Sequence, residues 1–146
     1  EGNIVVSYSF GNAQKKQWGS LHFDELSAQT NVRCGILLFD ISSRYKLSTV
    51  LGNNTFVRED EKAFCVWQNE YAGENTVDIY LDFFVSSPNG QYDRFCENFS
   101  EKAYSKNEIE NALEKAGLEL VDMFDDLSND KPGDTTERIT YIVRKK

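Results

Sequence analysis

The 146-residue chain is poor in the residues that build metal sites, disulfide frameworks and acid–base centres. It has three cysteines, one histidine, one methionine and two prolines. Cys34, Cys65 and Cys96 are odd in number and share no metal-type spacing, which argues against both a disulfide framework and a zinc site. We interpret His22, the lone histidine, as a surface residue and not as a catalytic base. Unpaired cysteines favour a reducing, cytoplasmic compartment.

Long apolar runs and an excess of positive charge are also missing. No run approaches the ~18–20 apolar residues that span a bilayer, and no basic-then-apolar leader follows Glu1. The net charge of −8 argues against nucleic acid as a partner, because phosphates require basic patches. Residues 59–146 carry ten basic and twenty acidic side chains. We interpret this excess as a solvated acidic surface and not as an acidic docking face.

The pattern that is present begins with two apolar strands. Hydrophobic residues make up 40% of the chain and charged residues 27%, which is typical of a globular domain. Ile4–Phe10 is β-branched and aromatic, and Ile36–Ile41 is a continuous apolar run of the kind buried in parallel sheets. Leu21–Gln29 between them fits a short helix. The whole segment has the length of a βαβ crossover.

The middle of the chain changes to antiparallel patterning. A short helix is predicted over residues 42–51, and Gly52 ends it. Four apolar or alternating stretches follow, at Phe56–Val57, Ala63–Trp67, Val77–Val85 and Gln91–Phe99. Ser87–Gly90 contains Pro-Asn-Gly and predicts a hairpin turn, since Asn-Gly supplies positive φ angles.

The last third returns to helix and strand. Ser105 followed by Glu108 is a capping-box sequence, and the helix that it begins is predicted to end at Gly117. Leu118–Phe124 and Ile139–Val143 then read as two strands joined by a polar loop, which favours antiparallel pairing. We therefore predict one mixed sheet from residues 1–52 and 103–146, with residues 53–102 inserted as a small antiparallel β lobe.

Several segments in this order resemble class I S-adenosylmethionine-dependent methyltransferases. The segments are Ile36–Leu47, Leu51–Phe56, Trp67–Glu70, Phe83–Val85, Tyr92–Phe95, Ala103–Tyr104 and Thr136–Tyr141. The resemblance covers residues 36–146, starting at the family's fifth strand. Residues 2–35 agree with the family's fourth strand and its surroundings only in length and outline.

The resemblance implies an α/β fold, namely an incomplete Rossmann-like methyltransferase sheet with an antiparallel last strand and an inserted lobe. It implies methyl transfer from S-adenosylmethionine to an acceptor, and the acidic surface points to a small-molecule acceptor. The family binds the donor at a Gly-rich turn after its first strand. The early glycines Gly2, Gly11, Gly19 and Gly35 have no G-x-G spacing. The chain is thus expected to be a C-terminal part that neither binds the donor nor is active alone.

The resemblance also suggests site residues. Ser9, Phe10, Gly11 and Asn12 would contact the donor at the carboxyl end of the fourth strand, although the residues themselves favour the alternative of a simple strand-ending turn. The predicted substrate-binding residues in and beside the lobe are Trp67, Tyr92, Arg94 and Tyr104. Core packing is the alternative for Trp67, and Asp40 could orient a loop or cap the segment that follows it. No catalytic residue is assigned. Phe99 and Lys102 stand where related sequences often have histidine and arginine, which argues against the usual substrate of the family.

A different class of function remains open. A sheet that starts at Ile4–Phe10 leaves an apolar strand with an unpaired edge. A non-enzymatic α+β binding module could cover that edge by forming a homodimer. This alternative predicts self-association that depends on concentration.

Overall fold

The structure is a computed structural model that describes residues 4–6 and 36–146. Its described chain divides into two compact units. One unit joins the residues up to Lys46 with Ala103–Lys146, and the other is Leu47–Lys102. Within the described ranges, no helix is long and apolar enough to cross a membrane. The predicted helix Leu21–Gln29 lies outside the described residues.

The first unit is built on a mixed four-stranded sheet. Its strands are β1 (Ile4–Val6), β2 (Ile36–Ser42), β7 (Leu118–Asp125) and β8 (Arg138–Lys145), in the order β1-β2-β8-β7. β1 runs parallel to β2, whereas β8 is antiparallel to both of its neighbours. The predicted mixed sheet with an antiparallel last strand is confirmed. The remainder of the predicted first strand, after Val6, lies outside the described residues.

Helix α1 (Lys106–Lys115) supplies apolar side chains to the core of this unit. The Ser105 hydroxyl accepts a hydrogen bond from the Glu108 amide, and the Glu108 carboxylate accepts from the Ser105 amide, so the predicted capping box is confirmed. Gly117 follows the helix with φ +70°. The buried core consists of Leu37, Phe39, Ile109, Leu113, Leu118, Tyr141 and Val143.

The segment after β2 differs from the predicted ordinary helix. It contains a single turn of π-helix, Lys46–Leu51, and the Gly52 amide donates to the Leu47 carbonyl oxygen at 2.9 Å. That bond spans five residues, as in a π-helix. Gly52 does end the turn, with φ +45°, and a side chain there would put its Cβ 3.0 Å from the Ser48 carbonyl oxygen.

The second unit contains a four-stranded antiparallel meander. Its strands are β3 (Thr55–Glu59), β4 (Ala63–Gly73), β5 (Thr76–Ser86) and β6 (Tyr92–Lys102), paired in chain order. The hairpin predicted at residues 87–90 is confirmed, but of Asn89 and Gly90 only the glycine has a positive φ. We refer to this meander and the residues leading into it, Leu47–Lys102, as the lobe.

Candidate functional site

A polar cleft of about 370 Å³ lies in the first unit, where β2 ends. β8 begins opposite the end of β2, because Arg138 pairs with Ser42, and β7 ends nearby at Asp125. The lining residues are Lys46, Asp125, Asp126, Thr135, Glu137 and Arg138. We call this feature the carboxyl-edge cleft. Open α/β sheets bind ligands at the carboxyl ends of their parallel strands, so its position is one where a ligand is expected.

Hydrogen bonds between the strand ends hold this cleft together. The Ser43 amide donates to the Glu137 carbonyl oxygen at 2.9 Å, and the Asp126 amide donates to the Arg138 carbonyl oxygen at 2.8 Å. Asp126 itself has φ +50°, a left-handed conformation that is unusual for a residue with a side chain. The backbone at Glu137 and Arg138 is therefore hydrogen-bonded both to the residue after β2 and to the residue after β7.

Asp40 pairs with the first residue of β8, a role that differs from both of the predicted ones. Its carboxylate forms an ion pair with the Arg138 guanidinium across β2 and β8. Ser43, and not Asp40, supplies the side-chain oxygen that accepts from the Lys46 amide, at 3.0 Å. Asp40 thus orients a cationic residue of the cleft.

A second polar cleft, of about 520 Å³, lies within the lobe. Cross-strand pairing explains part of its lining, since Thr55 pairs with Gln68 and Gln68 pairs with Tyr80. These three side chains form one row across the sheet. The complete lining is Asn53, Thr55, Gln68, Asn69, Glu70 and Tyr80. We call this feature the lobe cleft.

Asn69 fixes the wall of the lobe cleft. Its side chain is 5% exposed, and its amide group donates to the Asn54 carbonyl oxygen at 2.8 Å while its oxygen accepts from the Trp67 indole at 2.7 Å. The Asn53 side chain accepts from the Tyr71 amide at 2.8 Å. A buried amide with both ends satisfied holds a fixed geometry, so the segment before β3 is tied to β4.

Glu70 and Tyr80 give the lobe cleft its electrostatic character. The Tyr80 hydroxyl donates to Glu70 Oε2 at 3.3 Å. The negative charge of Glu70 raises the pKa of Tyr80, with smaller contributions from burial and from Asp78. The Glu70 carboxylate is thus the hydrogen-bond partner of the Tyr80 hydroxyl in this cleft.

The predicted substrate-binding residues of the lobe do not form one wall. Trp67 pairs with Leu81 and Leu81 with Glu97, whereas Arg94 pairs with Phe84. Since side chains alternate along a strand, Trp67 and Arg94 lie on opposite faces of the sheet. Trp67 also packs against Phe56, with ring centres 5.6 Å apart, in keeping with the packing alternative.

Arg94 is engaged in a small polar cluster on its face. Its Nε and Nη2 atoms donate to Asp82 Oδ1 at 3.0 and 2.7 Å, and the Cys96 thiol donates to the same oxygen at 2.8 Å. The bonds from Cys96 and Arg94 lower the pKa of Asp82. The bond to Asp82 is the chief reason that the pKa of Cys96 is raised. Cys96 is a free, exposed thiol. Tyr92, on the same face, is 64% exposed.

Tyr104 belongs to the first unit, where it packs against the core. Burial raises the pKa of its hydroxyl, and the charge of Glu108 adds to the effect. The predicted donor-binding residues lie outside the described residues; they are Ser9, Phe10, Gly11 and Asn12. Within the described part of the chain, no group of three or more His, Cys, Asp or Glu side chains could hold a metal ion.

Sequence reasoning missed most residues of both clefts. Asp125–Thr136 was interpreted simply as a polar loop, although its position between two adjacent strands was a usable signal. Gln68–Glu70 lie in a segment that carries the family resemblance, but only the aromatic Trp67 beside them is predicted as a site residue. Cross-strand register decides which polar residues share a face, and composition does not reveal it.

Comparisons with known proteins cover about three quarters of the chain. The Bacillus subtilis (strain 168) protein named "Putative methyltransferase YqeM" is 31% identical over 112 residues, which are 76% of this chain and 45% of that protein. A crystal structure of an S-adenosylmethionine-dependent methyltransferase from Clostridium acetobutylicum is 42% identical, with a TM-score of 0.68, over 76% of this chain and 44% of that one.

A more distant structure agrees in fold alone. The CcbJ methyltransferase from Streptomyces caelestis is 15% identical, with a TM-score of 0.56. No family model matches the chain. The chain spans about half the length of the relatives it matches.

Proposed function

We infer that this chain, which is similar in sequence and fold to the C-terminal part of class I S-adenosylmethionine-dependent methyltransferases, performs the acceptor-positioning half of methyl transfer. The observation that carries the proposal is the 42% identity to the Clostridium acetobutylicum enzyme at a TM-score of 0.68. Methyl transfer depends largely on holding two reactants in line. A C-terminal half that positions the acceptor would therefore contribute directly to the rate.

The carboxyl-edge cleft is the part of the first unit that best supports this role. It lies at the sheet edge where ligands bind in open α/β folds, and the Asp40–Arg138 ion pair orients one of its lining residues. We propose that the acceptor is a small molecule, since a chain with a net charge of −8 is poorly suited to nucleic acid. The free thiols of Cys65 and Cys96 favour the cytoplasm as its compartment.

The chain alone is not expected to bind the methyl donor. Its sequence has no Gly-rich turn of G-x-G spacing, and backbone cannot approach a donor closely without one. The residues of the carboxyl-edge cleft do not replace that turn, because they bring three carboxylates and no glycine.

Calorimetric titration of S-adenosylhomocysteine tests both parts of the proposal. The 146-residue chain should give no binding heat, whereas a longer protein that adds a Gly-rich strand-turn-helix half should bind the ligand and consume S-adenosylmethionine. Micromolar binding by the chain alone would overturn the claim that it lacks the donor site. A longer protein that neither binds nor consumes the donor would overturn the methyltransferase assignment.

A matched pair of variants in that longer protein tests the carboxyl-edge cleft. Asp40→Asn releases Arg138 and should lower the methyl-transfer rate roughly tenfold, because small losses of positioning are costly. Asp134→Asn removes an exposed carboxylate of the same loop region that does not line the cleft, and its rate should stay close to that of the unaltered protein. Equal rates for the two variants would remove the cleft from the reaction.

The second candidate function is a non-enzymatic module that acts as a homodimer. It is favoured by the position of β1, which pairs only with β2 among the described strands and so lies at an edge of the sheet that these strands form. Light scattering behind size-exclusion chromatography at several concentrations tests this candidate. A mass that rises toward twice 16.7 kDa supports it, and a constant monomer mass refutes it.

A further inference from the structure

We propose that the lobe cleft is a binding site for a small organic cation, namely a primary ammonium compound that also carries hydroxyl groups. The site lies wholly within the lobe and makes no use of the carboxyl-edge cleft. Its volume of about 520 Å³ falls in the range of small-molecule sites, roughly 300–1,000 Å³. The proposal goes beyond methyl transfer, because it concerns binding alone.

The first argument is the charge of the lining. Glu70 is the only residue with a carboxyl group among the six that line the cleft, and none of the other five is basic. Asp78 lies directly across the strand pair from Glu70, which places two like charges opposite each other at a cost to the sheet. A bound ammonium group would relieve that repulsion.

The second argument is the charge of the lobe as a whole. Leu47–Lys102 contains four basic and ten acidic residues, a net charge of −6 out of the chain's −8. A field of one sign concentrates ligands of the opposite sign near the surface. An anionic ligand would be repelled by the lobe before it reached the cleft.

The third argument is the chemistry of the remaining lining groups. The Tyr80 ring stands beside Glu70, and an aromatic face attracts cations. In the described part of the chain, neither the Thr55 hydroxyl nor the Gln68 amide forms a side-chain hydrogen bond. Both groups can donate and accept, which suits the hydroxyl groups of a ligand.

The fourth argument is that the site is already organised. The side chains of Asn69 and Asn53 tie the segment before β3 to β4 through two hydrogen bonds of 2.8 Å. A third bond of 2.7 Å, from the Trp67 indole to the Asn69 side-chain oxygen, holds Asn69 in place within β4. A site whose walls are fixed in the free protein pays less ordering entropy on binding. A small ligand can therefore bind measurably with few contacts.

The test uses three probes with the same six-carbon polyol scaffold: glucamine (1-amino-1-deoxysorbitol), sorbitol and gluconate. They are positively charged, neutral and negatively charged at neutral pH. Each is titrated into the ¹⁵N-labelled 146-residue chain while backbone amide shifts are followed. Glucamine should shift the amides of Gln68, Asn69, Glu70 and Tyr80, sorbitol should bind more weakly, and gluconate should leave these amides unchanged.

Two charge-matched variants complete the test. Glu70→Gln should weaken glucamine binding about three- to tenfold, since it removes the ammonium partner but keeps the side-chain shape. Glu97→Gln removes one exposed carboxylate from the opposite face of the same sheet and should change the affinity by less than about twofold. The amide spectrum of each variant reports directly whether the lobe remains folded.

Clear results would overturn the proposal. These are gluconate or sorbitol binding as tightly as glucamine, glucamine shifts confined to residues outside the cleft, equal weakening by the two variants, or no shifts up to the solubility limit of the probe. None of these depends on the methyl donor, so the site can fail while the methyltransferase proposal stands, and the reverse also holds.

Discussion

Removal of the helix cap by Ser105→Ala tests whether the N-terminus of α1 is a local source of stability. The hydroxyl of Ser105 accepts from the Glu108 amide at 3.3 Å, and alanine has no such acceptor. The reciprocal bond, from the backbone amide of residue 105 to Glu108 Oε2 at 2.7 Å, does not need the hydroxyl and persists. The variant therefore loses both bonds of the hydroxyl, the one from the Glu108 amide and the one that the hydroxyl donates to Glu108 Oε2 at 2.7 Å.

The expected cost follows from that inventory. Replacement of an N-cap serine by alanine costs about 0.5–2 kcal/mol, typically near 1. Because the Glu108 bond remains, we expect a loss of about 1 kcal/mol, which corresponds to a fall in melting temperature of about 2–4 °C for a chain of this size. Ser105→Asn keeps a side-chain acceptor and should leave the melting temperature close to that of the unaltered chain.

Urea and thermal unfolding followed by far-ultraviolet circular dichroism measure the difference. The reasoning requires that the asparagine variant be more stable than the alanine variant, with similar denaturant slopes. If the two variants unfold at the same midpoint, the cap contributes nothing and the hydrogen bond at 3.3 Å is not a stabilising one.

Three further outcomes are expected. Leu113 is 1% exposed, so Leu113→Ala should lower the free energy of unfolding in urea by about 2–5 kcal/mol. The control Glu114→Ala, on the exposed side of the same helix, should change it by less than about 0.5 kcal/mol. Similar losses for the two variants would place Leu113 outside the core. Gly117→Ala should cost about 1–2 kcal/mol in the same assay, for conformational reasons alone, because φ is +70° and a Cβ would meet nothing within 4 Å; an unchanged midpoint would contradict the left-handed conformation. Because the pKa of Asp82 is lowered in the folded chain, its stabilisation is complete above its ordinary pKa of 3.8 and is lost as the pH falls through the lowered value. Asp82→Asn should therefore destabilise the chain at neutral pH but not in strong acid, and it should speed alkylation of Cys96, measured by mass spectrometry, since the raised thiol pKa depends on Asp82. An unchanged alkylation rate would refute the coupling.

Local signals in the sequence located the helix and its start. Ser105 and Glu108 are three residues apart, and the hydrogen bonds that they form depend on little besides that spacing. The same holds for Gly52, because only a residue without Cβ avoids the Ser48 carbonyl oxygen there. The π-helical turn before it could not be predicted, since a bond over five residues differs from one over four only in backbone geometry.

Turns of the lobe were predicted unevenly. Pro-Asn-Gly at residues 88–90 predicts one hairpin, but no comparable sequence signal predicts the turn between β4 and β5. There Glu74 and Asn75 have φ +51° and +60°. A glutamate rarely adopts the left-handed conformation, so the sequence does not predict this turn. Tertiary pairing of two long strands overrides the weak local preference.

Neither cleft could be assembled from the sequence. The lobe cleft combines Asn53 with Gln68 and Tyr80 from two later strands, and a change of register by one residue would send each strand's side chains to the other face. The carboxyl-edge cleft likewise joins Lys46 to residues near 125 and 138. The sequence shows which residues are polar, but the pairing of strands decides which of them line the same cleft.

The placement of the lobe within the chain also sets an order of folding. Every strand pair of the lobe joins neighbours in sequence, whereas the Asp40–Arg138 ion pair of the first unit joins residues 98 positions apart. Local pairings close short loops and form quickly, while distant ones wait for a long loop to close. We expect the amides of the meander to become protected from hydrogen exchange earlier in refolding than those of β2 and β8. The inserted lobe would then fold before the sheet whose strands precede and follow it in the sequence.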